Sequence, residues 1–512
     1  MDRDESKRGK HMPDNLPFAD DRIMPPPPKS SGLQGAFHIK SARYPWQKAT
    51  SASLSMGLSL LVGWILGHME WGLLTTMGAF TALYVHNEPY FQRALKLALV
   101  AAGLAASFGI GTLSAGSVWS MALALGVVSA VATFLCGAWK VPSPSAYFFI
   151  LVCAVGTGLP IDPTSAPLRA GLALLGGGIA WFISMSGWLV NAHGPETSAV
   201  ANAYRALGVF LSTIGNPEND AARHNATLAL RSAEDAVMAG ELRWRSTEDA
   251  HRLFLLIQKA NALFLAGIAF SVEKVPISPA LAATVRALAD TVSNPDRAAF
   301  LTVPHPTVST QPRERLFSVL SEAVDIARTT TTPLGGDIHI VRPSVLTVVN
   351  STFSRHSVVL PATLRIGIAV VVATLIAAGL GNQHPYWVPL TVACVLQGAT
   401  VPATVQRTVQ RAIGTSLGVL LGGGILAVQP RLGMMVVIAM VLQLVVELII
   451  VRNYAIAVVF ITPIPLVLAE MGQRGMSPEA IVQARLFDTL LGCTLGLAAA
   501  LSVRHPSSSV RV

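Results

Sequence analysis

The sequence predicts an all-α polytopic membrane protein, with two parallel-repeat blocks of about six transmembrane helices each flanking a soluble helical domain. Three observations predict it. Of the 512 residues, 52% are hydrophobic and only 13% are charged, whereas an ordinary soluble domain carries about 25% charged residues. Apolar runs near the length that spans a bilayer, about 20 residues, cluster in two groups with a polar stretch between them. Short motifs recur in the two groups at one fixed spacing.

Residues 1–49 are polar, and the proline run in IMPPPPKSSG marks a disordered tail rather than a signal peptide. Spans are expected near 50–67, 70–87, 94–113, 116–137, 144–160 and 168–190, which gives a first block over 50–190. The first two are short and fit a tight helical hairpin. Residues 191–357 hold 15 of the 28 acidic residues and 15 of the 37 basic ones. Stretches such as ATLALRSAEDAVMAGELRWR and RERLFSVLSEAVDIART read there as helices with one polar face, separated by VPISPA and TVPHPTVSTQP. Residues 253–270 are apolar enough to suggest a further span. Gln258, Lys259 and Asn261 interrupt them, which favours an amphipathic core helix. Spans resume near 358–380, 384–402, 409–428, 432–450, 454–470 and 483–503, so the second block covers 358–503 and 504–512 is a tail.

Charge orients the chain. Nine of the 37 basic residues lie in the first 48 positions, and basic residues gather on the cytoplasmic side of membranes. Arg93, Lys96, Lys140, Arg407, Arg411 and Arg452 fall in loops on that side if the N-terminus is inside, with Arg431 and Arg474 as exceptions. The net charge of +9 therefore speaks for topology rather than for a nucleic-acid partner. An even number of spans per block puts both termini and the middle domain in the cytoplasm. Cys136, Cys153, Cys394 and Cys493 lie in apolar stretches without a CxxC or a paired His. They read as small buried residues, and no metal site is expected.

The repeat is the most specific signal. HMEW (68–71) and HPYW (384–387) are offset by 316 residues, and Leu74-Thr75 and Leu390-Thr391 keep that offset. So do RAGLALLG (169–176) and RLFDTLLG (485–492). With only 12 His and 9 Trp in the chain, matched anchors of this kind predict a duplication. Parallel copies are one plan of secondary transporters.

The stretch QRAIGTSLGVLLGGG (410–424) tests whether a nucleotide is involved. A phosphate loop needs GxxxxGK[ST], and no Lys follows these glycines. No cofactor is expected. Gly414, Gly418 and Gly422 instead recur every four residues, on one helix face. Gly103, Ser107 and Gly111 repeat the pattern, as do Gly176 with Ala180 and Gly492 with Gly496. Small residues at this spacing let membrane helices pack closely.

Ionisable groups within spans are functional candidates. Glu447 lies among aliphatics, either as a proton carrier or as a structural partner of Arg452. Asp488 lies one turn after Arg485 and within pairing reach of it. Arg169 is Arg485's repeat mate but has Leu172 where the Asp would be. Arg169 and Arg485 are candidates to hold an anion, against a snorkelling alternative. Arg407 and Arg411 share a face and serve either topology or a funnel for organic anions. His68 and His384, beside Trp71 and Trp387, fit an interfacial position or a proton-responsive site.

YWVPLTVACVLQ, then two arginines, RAIGTSLGVLLGGG and RLFDTLLGCTLG form an order that resembles the fusaric acid resistance and aromatic acid exporter family. Trp387, Arg411, Gly414, Thr415, Gly418, Arg485, Asp488 and Gly492 carry the resemblance. The first block echoes it in MEWGLLTTMGAFTALY and YFQRALKLA but has Lys96 and Leu97 where a Gly-Thr pair would follow Arg93. The resemblance implies an inner-membrane efflux protein for aromatic or other organic acids, working in some members with a periplasmic adaptor subunit. Plant malate channels look distantly related. The residues suit a secondary exporter of small organic anions, with Glu447, Asp488, His68 or His384 carrying a coupling proton. A channel lined by the same arginines and a non-transporting scaffold for envelope assembly are the alternatives. Catalysis would need convergent His, carboxylate or Cys groups, which the sequence scatters, so no enzyme is expected. The middle domain is a candidate for homo-oligomer contacts.

Overall fold

A computed structural model describes residues 39, 44–85, 88–139, 141–240, 248–293, 301–304, 310–328, 352, 357, 359–382, 385–398, 400–472 and 478–502. The expected tails, His384 and most of 329–357 lie outside the described residues. Regular structure among the described residues is entirely helical.

The first block contains α1 (Trp46–Ile65), α2 (Met69–Ala79), α3 (Tyr90–Ser114), α4 (Val118–Ala138), α5 (Tyr147–Gly158) and α6 (Ala166–Met185). Then come α7 (Gly194–Ser212), α8 (Asn219–Gly240), α9 (Glu248–Glu273), α10 (Pro279–Ser293) and α11 (Gln311–Arg328). The second block contains α12 (Val359–Gly379), α13 (Trp387–Val395), α14 (Val401–Ala427), α15 (Leu432–Ile449), α16 (Tyr454–Ile461), α17 (Pro463–Gly472) and α18 (Pro478–Ser502). Among the described residues nine helices are long and apolar enough to cross a membrane.

Several expected spans are shorter than their apolar runs. The run 70–87 becomes the 11-residue α2 and a 3-10 turn, Phe80–Leu83. The run 384–402 keeps nine residues in α13, and 144–160 keeps twelve in α5. The run 454–470 is divided at Thr462. Pro402 lies in the first turn of α14, where a missing N–H costs nothing, so it opens that helix rather than ending the one before. The Thr400 side chain caps it by accepting from Ala403 N at 3.4 Å. Apolar composition reports the environment of these segments. Proline, caps and turns decide where the helices stop.

The helix contacts correspond between the blocks. In the first, α1 packs on α2, α2 and α3 pack on α6, and α5 packs on α3 and α4. In the second, α12 packs on α13, α13 and α14 pack on α18, and α16 packs on α14 and α15. The blocks also interlock reciprocally: α1 lies against α15, and α12 lies against α4. Gly67 and Gly381, both at φ +72°, sit in the turns that leave α1 and α12, a conformation that favours glycine.

The glycine faces lie at close crossings. A Cβ on Gly414 would meet Val458 Cβ at 2.7 Å, one on Gly418 Thr462 Cβ at 2.7 Å, and one on Gly422 Leu466 Cδ1 at 2.5 Å. Gly103 faces Phe149 and Gly111 the Cys153 carbonyl oxygen, with Ser107 buried between them. Gly492 faces Thr391 and Gly496 faces Val395. Gly176 comes within 1.9 Å of the Thr75 carbonyl oxygen on the same measure. The tightest is Gly78, which no periodicity marked: its Cβ would fall 1.6 Å from the Ala173 carbonyl oxygen.

Helices α7–α11 share one apolar core, including Tyr204, Leu207, Leu256, Leu263, Leu288 and Leu320. Tyr204 Oη donates to the Leu256 carbonyl oxygen at 2.7 Å. Helix α9 is apolar enough to span, yet its polar interruptions serve neighbouring helices. Lys259 pairs with Glu322 on α11, and Asn261 donates to Glu234 on α8.

Two outcomes follow from this packing. Gly78→Ala should cost on the order of 2 kcal/mol, read as a lowered thermal midpoint in detergent. Gly178→Ala, which meets open space, should not lower it. Leu265 on α9 and Ile368 on α12 are exposed to similar degrees, 59% and 63%. A cysteine at Leu265 should react with a water-soluble maleimide in opened membranes, and one at Ile368 should not.

Candidate functional site

Short helices end inside the second block, and arginines collect where they end. Arg485, in α18, lies with its guanidinium carbon directly over the Trp387 ring that opens α13. A cation over an indole face is attracted by the ring quadrupole. Its Nε is shut off from solvent and has no hydrogen-bond partner. Tyr386 precedes Trp387 and seats its ring against Gly158 of α5, where a Cβ would come within 2.2 Å.

Arg407 and Arg411 approach from α14. Arg407 Nη1 points at the Cys394 carbonyl oxygen (3.5 Å) and Gln397 Oε1 (3.3 Å), and its guanidinium lies 5.6 Å from the Tyr454 ring centroid. Arg411 Nη1 donates to Tyr454 Oη at 3.4 Å, and its Nε is buried without a partner. Tyr454 Oη also lies 2.8 Å from Cys394 Sγ. Tyr147, the first residue of α5 in the other block, is within electrostatic reach of both Arg411 and Arg485. Arg365 of α12 adds a fourth guanidinium, with Nη2 3.5 Å from the Leu396 carbonyl oxygen and a buried, unpartnered Nε.

Among the described residues, no carboxylate forms an ion pair with Arg365, Arg407, Arg411 or Arg485. Asp488 interacts electrostatically with Arg485 without forming a close ion pair; 3% exposed, it accepts from Asn382 Nδ2 at 2.6 Å. The N-termini of α5 and α16, which begin at Tyr147 and Tyr454, contribute positive dipole ends to the same region. A concentration of positive charge with spare N–H donors suits an anion.

The other candidates lie elsewhere or differ. Arg169 is buried in α6, with Nη2 donating to the Pro160 carbonyl oxygen at 3.1 Å and Nη1 unpartnered. In the first block the His68 ring stacks on Trp71, centroids 4.6 Å apart. Glu447, 3% exposed, pairs with Lys48 of α1 at 3.1 Å, while Arg452 goes to Tyr44. The structural alternative, a Glu447–Arg452 pair, is thus not formed, and Lys48 takes Arg452's place beside Glu447.

Sequence reasoning missed Tyr147, Tyr454, Arg365, Asn382 and Lys48. The tyrosines carried a usable signal: the chain has only seven, and three of them, Tyr147, Tyr386 and Tyr454, stand at the starts of short helices around these arginines.

Comparison with known proteins agrees with the membrane architecture. Residues 369–499 match the family described as fusaric acid resistance protein-like, a range that contains Trp387, Arg407, Arg411, Arg485 and Asp488. A relative from Bacillus subtilis (strain 168), named "Uncharacterized membrane protein YvaC", is 36% identical over 478 residues. The alignment covers 93% of this chain and 74% of that protein. No solved structure matches the chain. With a relative this similar along nearly its whole length, the chain belongs to the fusaric acid resistance protein-like family of membrane proteins.

Proposed function

We propose that the protein is an inner-membrane secondary exporter of organic-acid anions, aromatic acids among them, driven by protons. The observation that carries this reading is the pair Arg411 and Arg485. Each has a buried, unpartnered Nε, and neither is ion-paired with a carboxylate among the described residues. Arginine keeps its charge in any protein setting, and charge inside a membrane bundle is costly unless it meets a counter-charge. A transported carboxylate supplies that counter-charge for part of each cycle. Aromatic rings of Trp387, Tyr386, Tyr147 and Tyr454 line the same place, which suits a substrate with an apolar body and one anionic end.

In this reading Arg365 and Arg407 draw the anion in from the cytoplasmic side. Asp488 carries the coupling proton next to Arg485. Glu447, His68, His384 and Arg169 are secondary candidates for protons or for the exit path. The corresponding helix contacts of the two blocks, with the motif spacing of 316 residues, support a parallel duplication around an inserted cytoplasmic domain. The family's name supports efflux.

Arg411→Gln and Arg485→Gln should each lower efflux of an aromatic acid at least about tenfold, the scale of one lost charge-assisted hydrogen bond. Arg407→Gln should have a smaller effect on rate and raise the substrate concentration needed. The measurement is substrate release from loaded vesicles. Collapsing the proton gradient with an uncoupler should stop net export against a gradient. Undiminished export would point to another energy source, and ohmic conductance in a planar bilayer would point to a channel. Wild-type rates in both arginine variants would remove the site assignment.

A further inference from the structure

The blocks meet at α5–α13, at α2–α17 and along two longer seams that differ in their charged groups. One is the α4–α12 crossing. A Cβ on Gly126 would sit 2.3 Å from Val371 Cγ2 and 3.3 Å from the Gly367 carbonyl oxygen, and one on Gly367 would sit 3.2 Å from Ala130 Cβ. Gly137 abuts Val359 in the same way, at 2.6 Å. No ion pair crosses this seam among the described residues.

The other is the α1–α15 crossing, where an apolar core that includes Met56, Leu60, Val436 and Leu442 also holds an ion pair. Lys48 Nζ lies 3.1 Å from Glu447 Oε2, and Gln443 Nε2 donates to Glu447 Oε1 at 3.2 Å. Ser53 Oγ donates to the Met440 carbonyl oxygen at 2.8 Å. Just beyond the helices, Arg452 donates to Tyr44 Oη at 2.6 Å, with its guanidinium 4.0 Å from that ring's centroid. Met440, Gln443 and Glu447 share one face of α15 at i, i+3 and i+7.

We propose that the α1–α15 seam is a clasp that opens and closes during the working cycle, while the α4–α12 seam is the fixed pivot. A ligand or ion shifts a conformational equilibrium only through different affinity for the two states. The α4–α12 seam carries no ion pair among the described residues, its hydroxyls at Thr133 and Thr363 are buried without partners, and its close contacts are lost outright on separation. The clasp has both charge and a route back to water. Breaking a fully buried pair strands a charge; here the Lys48 side chain, 20% exposed, rehydrates as it leaves, and Glu447, 5% exposed, keeps Gln443 as its donor. Because the clasp joins the first helix of one block to the fourth of the other, its opening swings the blocks about α4–α12. The clasp is separate from the arginine site, and its test needs no substrate.

The test compares two cysteine pairs in the full-length protein in membranes. Gly57→Cys with Met440→Cys reads the clasp, since a Cβ on Gly57 would lie 2.6 Å from Met440 Cγ. Ala130→Cys with Gly367→Cys reads the pivot. The initial rate of oxidative cross-linking is measured with Glu447 intact and in Glu447→Gln. The expected result is a drop of about fivefold or more at the clasp and a change of less than about twofold at the pivot, with Lys48→Gln repeating both. An unchanged rate at the clasp, or an equal drop at the two seams, overturns the proposal. Should Gly57→Cys fail to insert, Ser53→Cys with Met440→Cys reads the same seam. Cross-linking as expected in a protein that exports nothing would leave the clasp standing and remove the export reading.

Discussion

A guanidinium cannot discharge itself by losing a proton at any ordinary pH. Placing several of them inside an apolar bundle is the constraint on which this architecture depends. Arg365, Arg407, Arg411 and Arg485 are held by carbonyl oxygens, phenols and an indole face rather than by carboxylates. Such partners are neutral. They orient the charge and relieve part of its desolvation without cancelling it. A bundle that only needed to be stable would pair these groups or replace them with apolar side chains.

The short helices follow from that constraint. Helices α5 and α13 are too short to cross a bilayer; α5 brings a positive N-terminus and α13 its C-terminal carbonyls to the arginines, where α16 also begins. Backbone groups freed in this way must be satisfied locally, and the caps at Thr400 and Asn453 do part of that. Close seats for neighbouring residues at Gly158, Gly414 and Gly492 pack the helices of this region tightly. Tyr147 belongs to the first block while the arginines belong to the second, so the site depends on how the blocks are held together.

Much of the helical layout was legible in composition and periodicity, because lipid imposes long apolar runs whatever the tertiary fold. Helix α9 shows the limit of that signal. It is as apolar as the other candidate spans, while its Lys259 and Asn261 are bonded to Glu322 and Glu234 of neighbouring helices. Helix ends inside apolar runs were illegible for the same reason, since Leu and Val report the environment and not the hydrogen bond that stops a helix. Of the site, Arg411 and Arg485 could be named from the chain. Their partners could not: Tyr147 is more than 250 residues away from either in sequence, and Lys48 reaches Glu447 only through the interlock of the two blocks. The expected Arg485–Asp488 pair failed because helical spacing permits a contact without requiring it. Trp387 and Asn382, from other segments, compete for the two side chains.

The most direct test of the arginine site is a structure of the protein with 4-bromobenzoate, whose bromine marks the ligand by anomalous scattering. The account predicts the carboxylate within about 3 Å of a nitrogen of Arg411 or Arg485, with the ring against Trp387, Tyr386 or Tyr147. A ligand bound elsewhere, with both of those Nε groups still unpartnered, would contradict it.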